Sequence, residues 1–219
     1  MNPYRPSRRA VVRGALAFGG VGMSGAKALT QAALAQELPL TPQCGAEGTA
    51  TPAQTEGPFF RAGSPGRADL VEPGSKAHQI ELTGFVLTRG CNPVARAVVD
   101  MWHADERGAY DNKGYRYRGR VYTDEKGRYR IRTIVPALYP GRTRHYHVNV
   151  AAGGKLLLTT QLYFPDEPGN RRDGLFRKEL LMQIAKNGNK NGNKTGNKGG
   201  NTKDNAMAAR FDFVIDLRM

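Results

Sequence analysis

Arg120-Val121-Tyr122-Thr123-Asp124-Glu125-Lys126-Gly127-Arg128-Tyr129-Arg130-Ile131-Arg132-Thr133 reads as two β-rich runs around a four-residue turn. Its aromatic and β-branched residues alternate with arginines at period two, the pattern of a strand with one face buried. Gly127 stands where a hairpin loop needs positive φ, so the stretch predicts a β-hairpin. The same texture extends outward. Ile80–Leu87 and Ala97–Trp102 are short β-rich runs either side of a Gly90–Pro93 turn and read as neighbouring strands. Further strands are expected at Tyr146–Ala151, Leu156–Tyr163 and Phe211–Leu217. In the last of these, Phe211, Phe213, Ile215 and Leu217 alternate with Asp212, Val214 and Asp216. Arg177–Ala185 is the one segment that reads as a helix, of one or two turns. Short, regularly spaced strands with turn signals predict an all-β chain, a two-sheet β-sandwich of mixed and antiparallel strands with long loops.

The chemistry concentrates in Tyr139-Pro140-Gly141-Arg142-Thr143-Arg144-His145-Tyr146-His147, with Tyr110 upstream. On a strand His145 and His147 point the same way, about 6.6 Å apart along the backbone, so one metal ion can collect both. Imidazole suits several transition metals, but tyrosinate is a hard anionic oxygen donor that favours a trivalent cation. Two phenols and two imidazoles therefore point to Fe(III). A plain alternative is that the tyrosines edge the core and the histidines sit on a solvated strand face.

Four blocks resemble the intradiol ring-cleavage dioxygenases, the family of protocatechuate 3,4-dioxygenase and catechol 1,2-dioxygenase. They are Thr51-Pro52-Ala53-Gln54-Thr55-Glu56-Gly57-Pro58-Phe59-Phe60; Val99–Asp105 with Gly108 and Tyr110; Thr123 to His147; and Thr160-Gln161-Leu162-Tyr163-Phe164. They occur in the family's order. The resemblance implies a β-sandwich holding Fe(III) through Tyr110, Tyr139, His145 and His147, acting on a small-molecule catechol and O₂. It implies that Tyr110 and His147 stay on the ion while Tyr139 and His145 form the axial pair, with Tyr139 the ligand that leaves. Arg142 matches the family arginine facing the substrate ring, and Gln161 the active-site glutamine; with Tyr139 they are the expected catalytic residues. Arg144 is expected on the surface, and Trp102 and Tyr163 in the core. The Gln54–Pro58 loop is read either as cavity wall or as a simple turn. A non-catalytic sandwich binding small phenols or glycans is the competing reading, though it gives no reason to keep four ligands. Extradiol cleavage uses Fe(II) with two histidines and a carboxylate, which two tyrosines fit poorly.

The chain departs from the family at His103, where larger members carry glutamine, in a short interval between Tyr139 and His145, and in an Asn/Gly/Lys tract at 186–205. That tract buries nothing to offset the entropy of ordering, so it reads as a disordered surface insertion, or as an attachment to a polyanionic surface. Residues 1–35 read as a twin-arginine signal: Ser7-Arg8-Arg9 precedes a weakly apolar stretch, and Ala33-Leu34-Ala35 offers a cleavage site. The expected organisation is a signal at 1–35, a linker at 36–50 and one domain at 51–219, exported to the periplasm or beyond the cell. The signal holds five Lys or Arg and no acid, and the tract five Lys and one Asp, so the formal charge of +14 falls to +9 and then to +5 on the remainder. That is an ordinary excess for a soluble domain and argues against nucleic acid as a partner. No stable membrane span is expected. A homo-oligomer stays open, although one chain carries all four ligands and needs no partner subunit to complete the site. Cys44 and Cys91 form either one disulfide or two isolated thiols, and neither reads as catalytic.

Overall fold

The computed structural model describes residues 44, 48–185 and 206–217. The expected signal and the 186–205 tract lie outside the described residues. Among the described residues nine strands form two sheets: β1 Gln79–Thr88, β2 Val98–Trp102, β3 Arg118–Tyr122, β4 Arg128–Ile134, β5 His145–Ala152, β6 Lys155–Tyr163, β7 Gln183–Ile184, β8 Met207–Arg210 and β9 Phe213–Ile215. One sheet runs β4-β1-β8-β7 with β9 added to β1, the other β3-β2-β5-β6. The second sheet is antiparallel throughout, whereas β8 and β9 run parallel to β1. The two-sheet sandwich of mixed strands is the architecture expected. Between the sheets lie Ile80, Leu82, Val99, Met101, Ile131, Tyr146, Val148, Val150 and Leu162, all essentially inaccessible. No helix among the described residues is long and apolar enough to cross a membrane.

Two expected pairings are corrected. The Asp124–Gly127 turn forms, with Gly127 at φ 71° and its N–H donating to the Asp124 carbonyl (2.9 Å), but it does not close a hairpin. β4 pairs with β1 and β3 with β2, so the turn is an arch between sheets. Thr123 sets the direction. Its hydroxyl accepts the Ala97 N–H (2.8 Å) and donates to the Val94 carbonyl (2.6 Å), and its amide donates to the Ala97 carbonyl (2.9 Å), which commits β3 to β2. β1 and β2 likewise lie in different sheets. After the turn at Cys91 the chain pairs briefly with β1, Thr88 donating to the Asn92 carbonyl (2.8 Å) and Val94 to the Val86 carbonyl (2.9 Å), and then crosses over.

Two element types also change. The expected helix at 177–185 is a 3₁₀ turn, Lys178–Leu180, followed by β7. Buried Leu180 anchors it, and Met182 donates to the Tyr163 carbonyl (2.9 Å), so sheet edges outcompete a short helix. The expected strand 211–217 shortens to β9, Phe213–Ile215, and an unexpected strand, β8, precedes it across a break at Phe211 and Asp212. Gly84 shows why: a Cβ there would lie 1.8 Å from the Phe211 carbonyl oxygen, so the chain bends against β1 where no side chain intervenes.

Cys44 and Cys91 are disulfide-bonded, 47 positions apart in sequence. A loop of that length stabilises by about 4 kcal/mol through the unfolded chain. Cys91→Ser is expected to lower unfolding free energy by about 2–4 kcal/mol while leaving the distant β5–β6 site intact. Denaturant titration checks this; a midpoint equal to that of the unaltered chain would show the bond to be idle.

Candidate metal centre

Period two divides β5 between two faces. Tyr146, Val148 and Val150 enter the core, which turns His145, His147 and Asn149 to the outer face of the β3-β2-β5-β6 sheet. That face is covered by the segment from Thr51 to Phe60. Gln54 donates to the Thr159 carbonyl (2.8 Å), Thr160 Oγ1 to the Pro52 carbonyl (2.7 Å) and Gln161 Nε2 to the Thr55 carbonyl (2.9 Å). Gly57 passes over His147 so closely that a Cβ would sit 3.1 Å from the ring. Both histidines are buried beneath it.

Tyr110 arrives from a loop shaped by two devices. The Asp105 carboxylate accepts the amides of Arg107 (2.8 Å) and Ala109 (2.9 Å), and Gly108, at φ 83°, lies where a Cβ would be 2.3 Å from the Leu138 carbonyl oxygen. The Tyr110 loop therefore rests directly on the segment that carries Tyr139. The result is a triangle: Tyr110 Oη is 3.2 Å from His145 Nε2 and 3.1 Å from His147 Nε2, and the two nitrogens are 3.1 Å apart. Tyr139 stands beside it, ring edge against Tyr110 at 5.7 Å. Phe59 stacks on Tyr110 at 4.4 Å and Trp102 on His147 at 5.0 Å, walling the triangle with apolar rings.

The donor set fits one metal ion. His145 Nδ1 donates to the Thr143 carbonyl (2.7 Å), which leaves its Nε2 lone pair facing the triangle. Burial holds the His145 pKa down at about 4 and that of His147 well below the ordinary value, with the Arg142 charge adding to both, so the imidazoles are neutral at physiological pH. Metal–nitrogen bonds of about 2.0–2.1 Å at right angles place neighbouring donors about 3 Å apart, the spacing seen here. Burial raises the Tyr110 pKa although Arg142 and Arg118 oppose it, so only a strong cation at the triangle would make it a tyrosinate. Among the described residues no three His, Cys, Asp or Glu gather as a metal site, so a centre here depends on phenol oxygen.

Arg142 and Gln161 meet beside the triangle, and Gln161 pairs in register with His147. Arg142 closes a turn onto the Tyr139 carbonyl (2.9 Å), and its Nη2 donates to Gln161 Oε1 (2.6 Å). Arg144 points away, bonded to the Pro136 carbonyl and paired with Glu167 at 2.7 Å. His103 is buried against Thr133 Oγ1 (2.6 Å) and the Ala104 carbonyl (2.7 Å) and does not join the triangle. Trp102 and Tyr163 are buried as expected, yet both also touch the site. The Tyr163 hydroxyl lies 2.8 Å from Gln54 Oε1 and 3.1 Å from Gln161 Oε1. Asp173, which accepts Arg142 Nε at 2.9 Å, escaped the sequence reading because it lies in a polar loop 31 positions away.

A family model described as Dioxygenase matches residues 55–217. Catechol 1,2-dioxygenase of Acinetobacter baylyi is 31% identical over 148 residues, which cover 54% of this chain and 48% of that protein. The chain belongs to the intradiol ring-cleavage dioxygenase family. Among solved structures of the family, the dioxygenase domain of a dioxygenase carbohydrate-binding protein fusion from the cellulolytic bacterium Streptomyces sp. SirexAA-E is 42% identical, with a TM-score of 0.67 over 77% of this chain and 99% of that one. Catechol 1,2-dioxygenase from Pseudomonas arvilla C-1 is 26% identical, with a TM-score of 0.63 over 76% of this chain and 62% of that one. This family member spans about half the length of the curated relatives it matches.

Proposed function

We propose that this chain is an Fe(III) dioxygenase that inserts both atoms of O₂ into a catechol and opens the ring between its hydroxyl-bearing carbons, giving a cis,cis-muconic-type diacid. The observation that carries the reading is the triangle of Tyr110 Oη, His145 Nε2 and His147 Nε2 with Tyr139 alongside. These four residues would hold the ion. Bound Fe(III) would supply the Lewis acidity that lets a catechol lose both phenolic protons near neutral pH and prepares the ring for O₂.

The chain's own groups do the rest. Tyr139, half-buried on a turn rather than on a strand, has the freedom to move and to hold one released proton on its Oη. Arg142 places a fixed cation where negative charge develops on the substrate, and Gln161, anchored on Thr55, keeps that cation oriented. Phe59, Trp102 and the Gly57 crossing exclude water from the ligand face. A binding module without catalysis would need neither the three donors of the triangle nor a second phenol beside them.

Export through the twin-arginine route to the periplasm or the exterior belongs to the same proposal. It is supported by the Ser7-Arg8-Arg9 pattern and by the Cys44–Cys91 disulfide, a bond that persists in oxidising compartments. The test is optical and chemical together. The iron-loaded protein should be red-brown from phenolate-to-Fe(III) charge transfer and should convert a catechol to a diacid containing both oxygens of ¹⁸O₂. A colourless iron-loaded protein would remove the metal assignment, and a coloured one that leaves a panel of catechols intact would remove the activity.

A further inference from the structure

Arg142 precedes β5, and a regular strand running back from His145 would aim it along the same face as Arg144. It goes the other way because the main chain turns a corner at Thr143. The loop from Glu167 to Leu175, which follows β6 in the chain, builds that corner. Thr143 N–H donates to Asp173 Oδ2 (2.9 Å), and Thr143 Oγ1 lies 2.8 Å from Asn170 Oδ1, whose Nδ2 donates to the Phe164 carbonyl (2.9 Å). Gly169 lies flat on Thr143, with room for no Cβ closer than 3.0 Å to its hydroxyl. The same Asp173 carboxylate takes Arg142 Nε on both oxygens, at 2.9 and 3.1 Å, and the Leu175 amide at 2.9 Å. Its side chain is only 2% exposed, against 19% for Arg142.

We infer that Asp173 is a positioning residue for the reaction, one carboxylate that fixes both the corner at Thr143 and the direction of the Arg142 guanidinium, so that Nη2 is delivered to Gln161 and the substrate side. The inference rests on the proposed catechol cleavage, in which Arg142 faces the ring. A guanidinium is a rigid planar fork, and holding it through Nε leaves one Nη edge free to point along a single direction. Without Asp173 the nearest acceptors for the fork are the Gln161 and Tyr163 oxygens alone, and the guanidinium swings toward the cavity of about 550 Å³ that Tyr139, Arg142, Glu167 and Arg172 line. Tyr163 completes the bracket from the opposite side. Its hydroxyl lies within hydrogen-bond reach of Gln54 Oε1, Gln161 Oε1 and the Leu175 carbonyl and donates its one proton to one of them, at the point where the covering segment, β6 and the Asp173 loop meet.

The experiment compares Asp173→Asn and Asp173→Ala with Arg142→Leu and the double variants. Asparagine keeps the shape and its single amide oxygen can still accept one of the Thr143 and Leu175 amides, which the carboxylate holds on different oxygens, so it perturbs the loop less than alanine does. Iron content and the visible band are expected to match the unaltered protein in Asp173→Asn, while kcat falls about 10²-fold, the scale of a misplaced catalytic group, with KM little changed. Adding Asp173→Asn to Arg142→Leu is expected to cost nothing more. Additive losses, or an Asp173→Asn enzyme with unaltered kcat, would overturn the positioning role. A second readout needs neither iron nor turnover. In ¹⁵N spectra of the metal-free protein the Arg142 Nε–H should exchange slowly with water, and Asp173→Asn should speed that exchange. Unchanged exchange would show that Asp173 does not hold the guanidinium. An unaltered protein that cleaves no catechol while Asp173→Asn still releases the Nε–H would refute the proposed function and leave the clamp standing.

Discussion

His147→Ala is expected to fold and to lose iron, whereas Tyr139→Phe is expected to keep it. His147 supplies one corner of the 3.1–3.2 Å triangle and is buried between Trp102 and Gly57, so its removal leaves a dry cavity with two donors. Even residues that merely orient a metal ligand cost about 10–100-fold in affinity, and a ligand itself should cost at least about 10²-fold. Tyr139 differs because it stands outside the triangle, on a turn, with only ring-edge contacts to Tyr110 and Phe59. Tyr139→Phe should therefore retain metal and colour yet bind catechol slowly and turn over poorly. Metal analysis and stopped-flow mixing with catechol separate the two variants. If Tyr139→Phe lost iron as completely as His147→Ala, Tyr139 would be a permanent ligand and its proton-holding role would go.

The second large effect belongs to arginine. Arg142→Leu should lower kcat by about 10²-fold or more, the loss seen when one preorganised electrostatic donor is removed, without lowering iron content. Arg144→Leu is the internal control. It breaks a partly exposed pair with Glu167, worth at most about 1 kcal/mol of stability, and reaches nothing in the triangle. Both variants remove one positive charge from neighbouring positions, so a general effect of net charge would appear equally in both. Equal small losses would put Arg142 among surface residues and take the Asp173 inference down with it.

What could be read from the sequence divides along a physical line. Strand β4 shows in the alternation of buried Tyr129, Ile131 and Thr133 with more exposed arginines, because burial on one face is a local property of the chain; β5, buried on both faces, shows instead in the alternation of Tyr146, Val148 and Val150 with polar His145, His147 and Asn149. Which strands pair is not local. The Asp124–Gly127 turn has the chemistry of a hairpin, and only Thr123, bonding to residues 94–97, reveals that β3 belongs to β2. The break at Phe211 and Asp212 depends on a missing side chain at Gly84, 127 positions before Phe211. The same holds at the site. Tyr110, Tyr139, His145, His147, Arg142 and Gln161 could be picked out because their types and spacings are distinctive, and the fold gathers them in one region. Asp173 carried no such mark, being one acid in a Gly/Asn/Arg loop. Trp102 and Tyr163 read as core and are core, but each also presents one face or one hydroxyl to the site, a double role that a hydrophobic pattern does not encode.

The covering of the ligand face by residues 51–60 has a temporal side. Thr51 holds that segment in place through its amide on the Val214 carbonyl (2.8 Å) and its hydroxyl on the Val214 amide (2.9 Å), a pairing across 163 positions. Closing so long a loop is slow and comes late in folding, since its entropy is spent before any contact returns it. A ribosome-bound chain whose residue 214 is still in the exit tunnel lacks this anchor and holds the segment only by its bonds to β6, from Pro52, Gln54 and Thr55. Full enclosure of the proposed metal centre would thus be a property of the finished molecule, completed only after β5 and β6 have paired. The compartment where Thr51 meets Val214 would then be the one whose ions the proposed centre is closed upon.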